Sequence, residues 1–149
     1  MRCVIQRVAH SRVTVEGEET GRIERGFLVL VGAENGDTQQ DMDYCVKKIC
    51  GLRIFEDENE KMNLALKDVG GKVLLVSQFT LLGDARHGNR PSFSNAARPE
   101  DAAPVIERMK AAIEAQGIEV QTGRFQTHME VELLNDGPVT ILLDSRKGF

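Results

Sequence analysis

No apolar run in this chain is long enough to cross a bilayer: stretches such as Phe27 to Val31 and Val73 to Val76 fall far short of the ~20 residues a spanning helix needs. A secretory signal is missing too, because Met1-Arg2-Cys3-Val4 leads straight into alternating residues with no charged, apolar and small-residue regions in order. The expected compartment is the cytoplasm, with no membrane partner. Cysteine is sparse, and Cys3, Cys45 and Cys50 fit neither a CxxC redox motif nor a zinc knuckle. They read as reduced thiols. Basic charge is not in excess: 19 basic and 23 acidic residues leave a formal net charge of −4, which argues against the broad basic face of a duplex binder. Also lacking are a GxSxG elbow, an HExxH zinc motif, a GxxxxGK phosphate loop and a GxGxxG dinucleotide motif. His10, His87 and His128 have no metal-ligand spacing and read as surface histidines or as supports behind a site. No metal or organic cofactor is implied.

What remains is an ordinary composition, with 41% hydrophobic and 28% charged residues, enough for one core without cross-links. No linker, repeat or low-complexity tract divides residues 1–149, so a single domain is expected. Val4 to Val8, Arg12 to Val15 and Gly26 to Val31 are β-branched or continuously apolar and read as strands. Thr38 followed by Asp41 opens a helix carrying Met42, Cys45, Val46, Ile49 and Cys50 on one stripe. A second helix falls between Glu100 and Gln116, with Pro104 in or near its first turn and Gly117 beyond its end. Further strands are Arg53 to Glu56, Lys72 to Val76, Ile118 to Gln121, Met129 to Leu133 and Val139 to Leu143. The class is α+β: mostly antiparallel sheets in a barrel-like β/β/α layering, with two main helices packed on them.

Three segments carry candidate chemistry. In Ser77-Gln78-Phe79-Thr80-Leu81 a buried apolar strand abruptly becomes polar. Either Ser77 and Thr80 bond neighbouring backbone as the strand ends, or the strand end is an active-site wall. On the second reading Thr80 is a nucleophile or proton relay, and Gln78 and Phe79 supply donors to an oxyanion. Asn135-Asp136-Gly137-Pro138-Val139-Thr140 reads as a constrained turn between two strands. X-Pro bonds are cis in only about 5 to 6% of cases in folded proteins, so residue types alone point to a trans bond. Ala85 to Pro99 holds Arg86, His87, Arg90 and Arg98 without an acidic residue, a local cationic island that suits a single-stranded RNA end. Phe93 and Phe125 are candidates to stack on a base.

Taken together these segments resemble the D-aminoacyl-tRNA deacylase family, in the branch found in bacteria and most eukaryotes. The resemblance rests on Ser77 to Leu81 and Asn135 to Thr140 in order and at the family's separation. Gln6-Arg7-Val8, Gly51 to Phe55, Lys61 to Leu64, Arg90 to Phe93 and Thr122 to Phe125 support it. It implies hydrolysis of the ester joining a D-amino acid to the terminal ribose of tRNA, with glycyl-tRNA as a second substrate. The implied partner is the 3′-terminal aminoacyl-adenosine, with no requirement for DNA. It further implies a homodimer in which a cis Gly137-Pro138 enters the opposite subunit's active site, two backbone carbonyls serving as a chiral gate. The implied roles are Arg7 steadying the gate, Phe125 and Met129 binding substrate, and the backbone around Ser77, Gln78 and Phe79 acting catalytically. The substrate's own 2′-OH assists, so no covalent intermediate on Thr80 is expected. Gln126 and Thr127 depart from the small residues common in the family at these positions. Two other readings are a Thr80-dependent hydrolase of other esters or amides and a non-enzymatic RNA-end binding module.

Overall fold

The computed structural model describes all 149 residues. Strand β1, Arg2–Val15, runs through the middle of the main sheet. One of its edges pairs antiparallel first with β3, Gly26–Gly32, and then with β2, Glu18–Ile23. Its other edge is taken along nearly its full length by β8, Glu130–Asp144. Beyond β3 the sheet continues through β6, Lys72–Ser77, to β7, Val120–Thr122. Both of these outer pairings are parallel, which refines the expectation of a mostly antiparallel sheet. Each parallel step needs a crossover, and the two long helices lie in those crossovers.

Helix α1, Gln39–Gly51, starts where the sequence predicts, with the Thr38 N–H donating to the Asp41 carboxylate at 2.8 Å. The Thr38 hydroxyl donates to the same carboxylate at 3.0 Å, so Asp41 satisfies the N-cap amide and anchors the first turn of the helix. Its Met42, Cys45, Val46 and Ile49 are buried against the sheet, as are Ile106, Met109 and Ile113 of the third helix. That helix, α3, spans Pro99–Glu114, with α2, Leu66–Val69, as a short turn before β6. Pro104 is the sixth residue of α3, just past its first turn, where a missing N–H costs one bond. Strands β4, Phe55–Glu56, and β5, Met62–Leu64, form a separate hairpin.

The large core lies between the helices and the sheet, and a smaller one of Val8, Val13, Val15, Ile23, Leu28, Leu74 and Val76 fills the inside of the sheet's curl. Curling brings β2 back against β7. A Cβ on Gly21 would stand only 2.3 Å from the Thr122 carbonyl oxygen, so glycine permits the nearly closed, barrel-like shape.

One local expectation changes. Asn135-Asp136-Gly137-Pro138 does not turn the chain between two strands but lies inside β8. Gln6 pairs with Thr140 and Val8 with Asn135, so residues on both sides of the segment pair with the same strand in the same direction. Two steps along β1 match five along β8, and the surplus is thrown out as a wide bulge. The Gly137-Pro138 bond within it is cis, against the residue-type expectation and in keeping with the resemblance.

Candidate active site

Strand β6 is flanked by β3 and β7, and its apolar run Val73 to Val76 is buried on both faces. At Ser77 it stops, and after Gln78 the chain turns into one 3₁₀ turn, Phe79–Leu82. The Gln78 N–H is engaged, donating to the Val31 carbonyl at 2.7 Å, and the Gln78 carbonyl closes the turn by accepting from Leu81 at 3.3 Å. The amides of Phe79 and Thr80 come before that first bond and have no acceptor inside the turn. Of the backbone donors expected at this strand end, Gln78 is therefore occupied, while the next two residues supply the candidates.

Thr80 is exposed, and its hydroxyl accepts from the Gln78 side-chain amide at 2.9 Å. Neither a histidine nor a carboxylate bonds it, so the base that would activate a threonine nucleophile is not in contact with it. Phe79 is 57% exposed and meets Phe93 edge-on, ring centroids 5.2 Å apart. The two rings together present an exposed aromatic pair at the strand end.

Ser77, Gln78, Phe79 and Thr80 line one side of a cavity of about 620 Å³, a volume suited to a small ligand. Phe93 also lines it, as do Phe125 and Met129, and Ala96, Ala97 and Ala102 leave it room. Gln126 and Thr127, the departures from the family's small residues, line it beside Phe125, whereas the alanines were not legible as cavity residues because alanine suits core and surface alike. Thr127 ties its own loop by donating to the Arg124 carbonyl at 2.7 Å, and Gln126 holds a left-handed φ of 57°.

Arg7, Gly137 and Pro138 are not among the residues lining that cavity; Arg7 and Gly137 meet elsewhere. Arg7 is only 3% exposed. Its Nε donates to the Asp136 carbonyl at 3.1 Å, and one terminal nitrogen donates to the Ile54 carbonyl and the Glu56 carboxylate, each at 2.8 Å. The hydrogen bond from Arg7 holds the Glu56 carboxyl below its ordinary pKa. On the far side of the bulge, the Val139 N–H donates to the Asn135 side chain at 3.1 Å. Gly137 has φ +127°, and a Cβ there would lie 2.8 Å from a Val139 methyl and 3.0 Å from an Arg7 terminal nitrogen. Only glycine fits.

The cationic island is largely neutralised by acids just outside it. Arg86 makes two bonds to Asp84, at 2.9 and 2.7 Å, which hold that carboxyl far below its usual pKa. Arg98 lies 3.5 Å from both Glu100 and Asp101. Arg90 has no carboxylate at ion-pair distance. No three His, Cys, Asp or Glu side chains converge to hold a metal ion.

Residues 4–144 match the family model for D-Tyr-tRNA(Tyr) deacylase. The chain belongs to this deacylase family. Two curated relatives, from Koribacter versatilis (strain Ellin345) and Clostridioides difficile (strain 630), are each named D-aminoacyl-tRNA deacylase. They are 60% and 57% identical over 149 residues, covering the whole of both chains in each case. Among solved structures, the c-Myc DNA Unwinding Element Binding Protein is 38% identical with a TM-score of 0.90, over 97% of this chain and 98% of that one. A second, described as a "probable eukaryotic D-amino acid tRNA deacylase", shares the fold at 16% identity and TM-score 0.78, over 95% and 97%. The family match thus spans both the strand end and the β8 bulge.

Proposed function

We propose that this chain hydrolyses the ester between a D-amino acid and the 3′-terminal ribose of tRNA, and acts on glycyl-tRNA as well, in the cytoplasm. The observation that carries the reading is the end of β6: a 3₁₀ turn with two amides free of partners inside it, bordering an aromatic-walled cavity of about 620 Å³. Phe125 and Met129 hold the terminal adenosine, the ring stacking on the base. Water attacks the ester carbonyl, whose oxygen becomes an oxyanion. Donors at Phe79 and Thr80 stabilise that charge, each worth about 3 kcal/mol if it behaves as other oxyanion donors do. The bond to the ribose 3′-oxygen then breaks. The proton lost by water passes through the neighbouring 2′-hydroxyl to the departing oxygen, so free tRNA and a free amino acid result. Thr80 stays a hydrogen-bonding residue, consistent with its lack of an adjacent base.

Stereoselection is assigned to Gly137 and Pro138. An enzyme accepting many D-amino acids has no side chain to grip and must sort them at Cα with rigid backbone. Two fixed carbonyls accept from the α-ammonium and occupy the space that an L side chain needs. Since neither residue lines the cavity of its own chain, a second copy has to bring them there. Leu134 and Leu142 of β8, one on each side of the bulge, are 53% and 56% exposed, apolar surface available to a homodimer. The neutralised basic loop offers little support for a non-enzymatic RNA-end module.

The test is deacylation of matched D-tyrosyl-tRNA and L-tyrosyl-tRNA with a chelator present, alongside light scattering. Cleavage of the D ester alone, by a species of twice the chain mass, is expected. Equal cleavage of both esters would remove the gate, and cleavage of neither would leave the binding module as the better reading.

A further inference from the structure

We propose that Glu56 is a positioning residue for stereoselection, acting through Arg7 on the Gly137 bulge; the inference rests on the gate reading above. Arg7 occupies a strand position in phase with Cys3 and Ile5, whose side chains are fully buried. A guanidinium carried inward by that alternation must be compensated. It is clamped at both ends. Toward the bulge it donates to the Asp136 carbonyl, immediately before Gly137, and toward β4 it donates to Ile54 and Glu56.

The β4 end is the fixed one. Phe55, between the two acceptors, is 1% exposed and stacks on Phe27 with ring centroids 5.2 Å apart. The hairpin beyond it is closed by the Asp57 side chain, which accepts from the Asn59 and Lys61 amides at 2.8 and 3.1 Å. Arg53 and Asn63 bond each other across it. The Glu56 carboxylate therefore projects from a braced frame, and Arg7 transmits its position to the backbone of Asp136.

Two carboxylates compete for this cation. Glu56 is at 2.8 Å and the Asp136 carboxylate at 3.5 Å. Without Glu56, the remaining counter-charge belongs to the residue that carries the gate's own preceding carbonyl. Any movement of Asp136 toward Arg7 moves Gly137 with it. Glu56 is not among the residues lining the cavity, so its loss should alter which enantiomer is accepted and leave the turn amides in place.

The experiment compares kcat/KM for D-tyrosyl-tRNA and L-tyrosyl-tRNA in wild type, Glu56→Ala and Glu56→Gln. The D-to-L ratio is expected to fall about tenfold or more in Glu56→Ala and about threefold in Glu56→Gln, which keeps an acceptor without the charge. A purely structural role would lower both rates together by reducing the folded fraction, leaving the ratio unchanged. Should Glu56→Ala not fold, the isosteric Glu56→Gln decides alone. A selective wild type with equally selective variants overturns this inference and spares the function; a wild type without D selectivity overturns both.

Discussion

The end of β6 and the bulge of β8 are held in opposite ways. Around the cavity, side chains are loosely tied: Phe79 projects into solvent, Thr80 bonds only its neighbour two residues back, and the wall beyond is alanine and aromatic rings. Around Gly137 each side of the bulge is pinned, by Arg7 before it and Asn135 after it, and a single added carbon has no room. On the proposed function the contrast separates two tasks. Stabilising an oxyanion needs only backbone donors, which side-chain changes leave in place, whereas excluding an enantiomer depends on where atoms sit, to a fraction of an ångström.

Substitutions that collapse this contrast should have the largest effects. Gly137→Ala is expected to lower kcat/KM for the D ester about 100-fold or more, because shifting the carbonyls that hold the α-ammonium misplaces the ester relative to the turn amides by about 1 Å. Arg7→Met removes the clamp and leaves the Ile54 and Asp136 carbonyls without their donor. It should cost about 2 to 3 kcal/mol in urea denaturation and reduce the D-to-L ratio. On the cavity side the losses should be smaller. Phe125→Ala should raise KM about tenfold through lost stacking on the adenine, with little change in kcat. Thr80→Ala should retain D-ester turnover within about fivefold, since its hydroxyl is given no chemical step. Least of all, Arg86→Ala should change KM for tRNA less than about twofold in a salt series, because Asp84 already neutralises that cation.

The elements were legible where one periodicity ruled. Met42, Cys45, Val46 and Ile49 marked the buried stripe of α1, and Thr38 with Asp41 marked its start. The parallel placement of β6 was not, because a buried apolar run looks alike in either orientation. The bulge read as a constrained turn between two strands since Asn-Asp-Gly-Pro carries turn signals, and only the pairing of both flanks with β1 distinguishes the two. Counting charges within Ala85 to Pro99 hid the acids at 84, 100 and 101 that neutralise its ends. The clamp on Arg7 did leave a trace. A charged residue in phase with Cys3 and Ile5 announces a buried cation, although its partners at Ile54 and Glu56 lie too far away in sequence for spacing to identify them.

The most direct measurement is a four-way comparison of Gly137→Ala and Thr80→Ala on matched D-tyrosyl-tRNA and L-tyrosyl-tRNA, each variant first shown to be folded. Division of labour between cavity and bulge predicts that Thr80→Ala keeps both activity and D selectivity, while Gly137→Ala loses D-ester turnover by about 100-fold. Abolished turnover in Thr80→Ala, with Gly137→Ala near wild type, would contradict it and make Thr80 the reacting group.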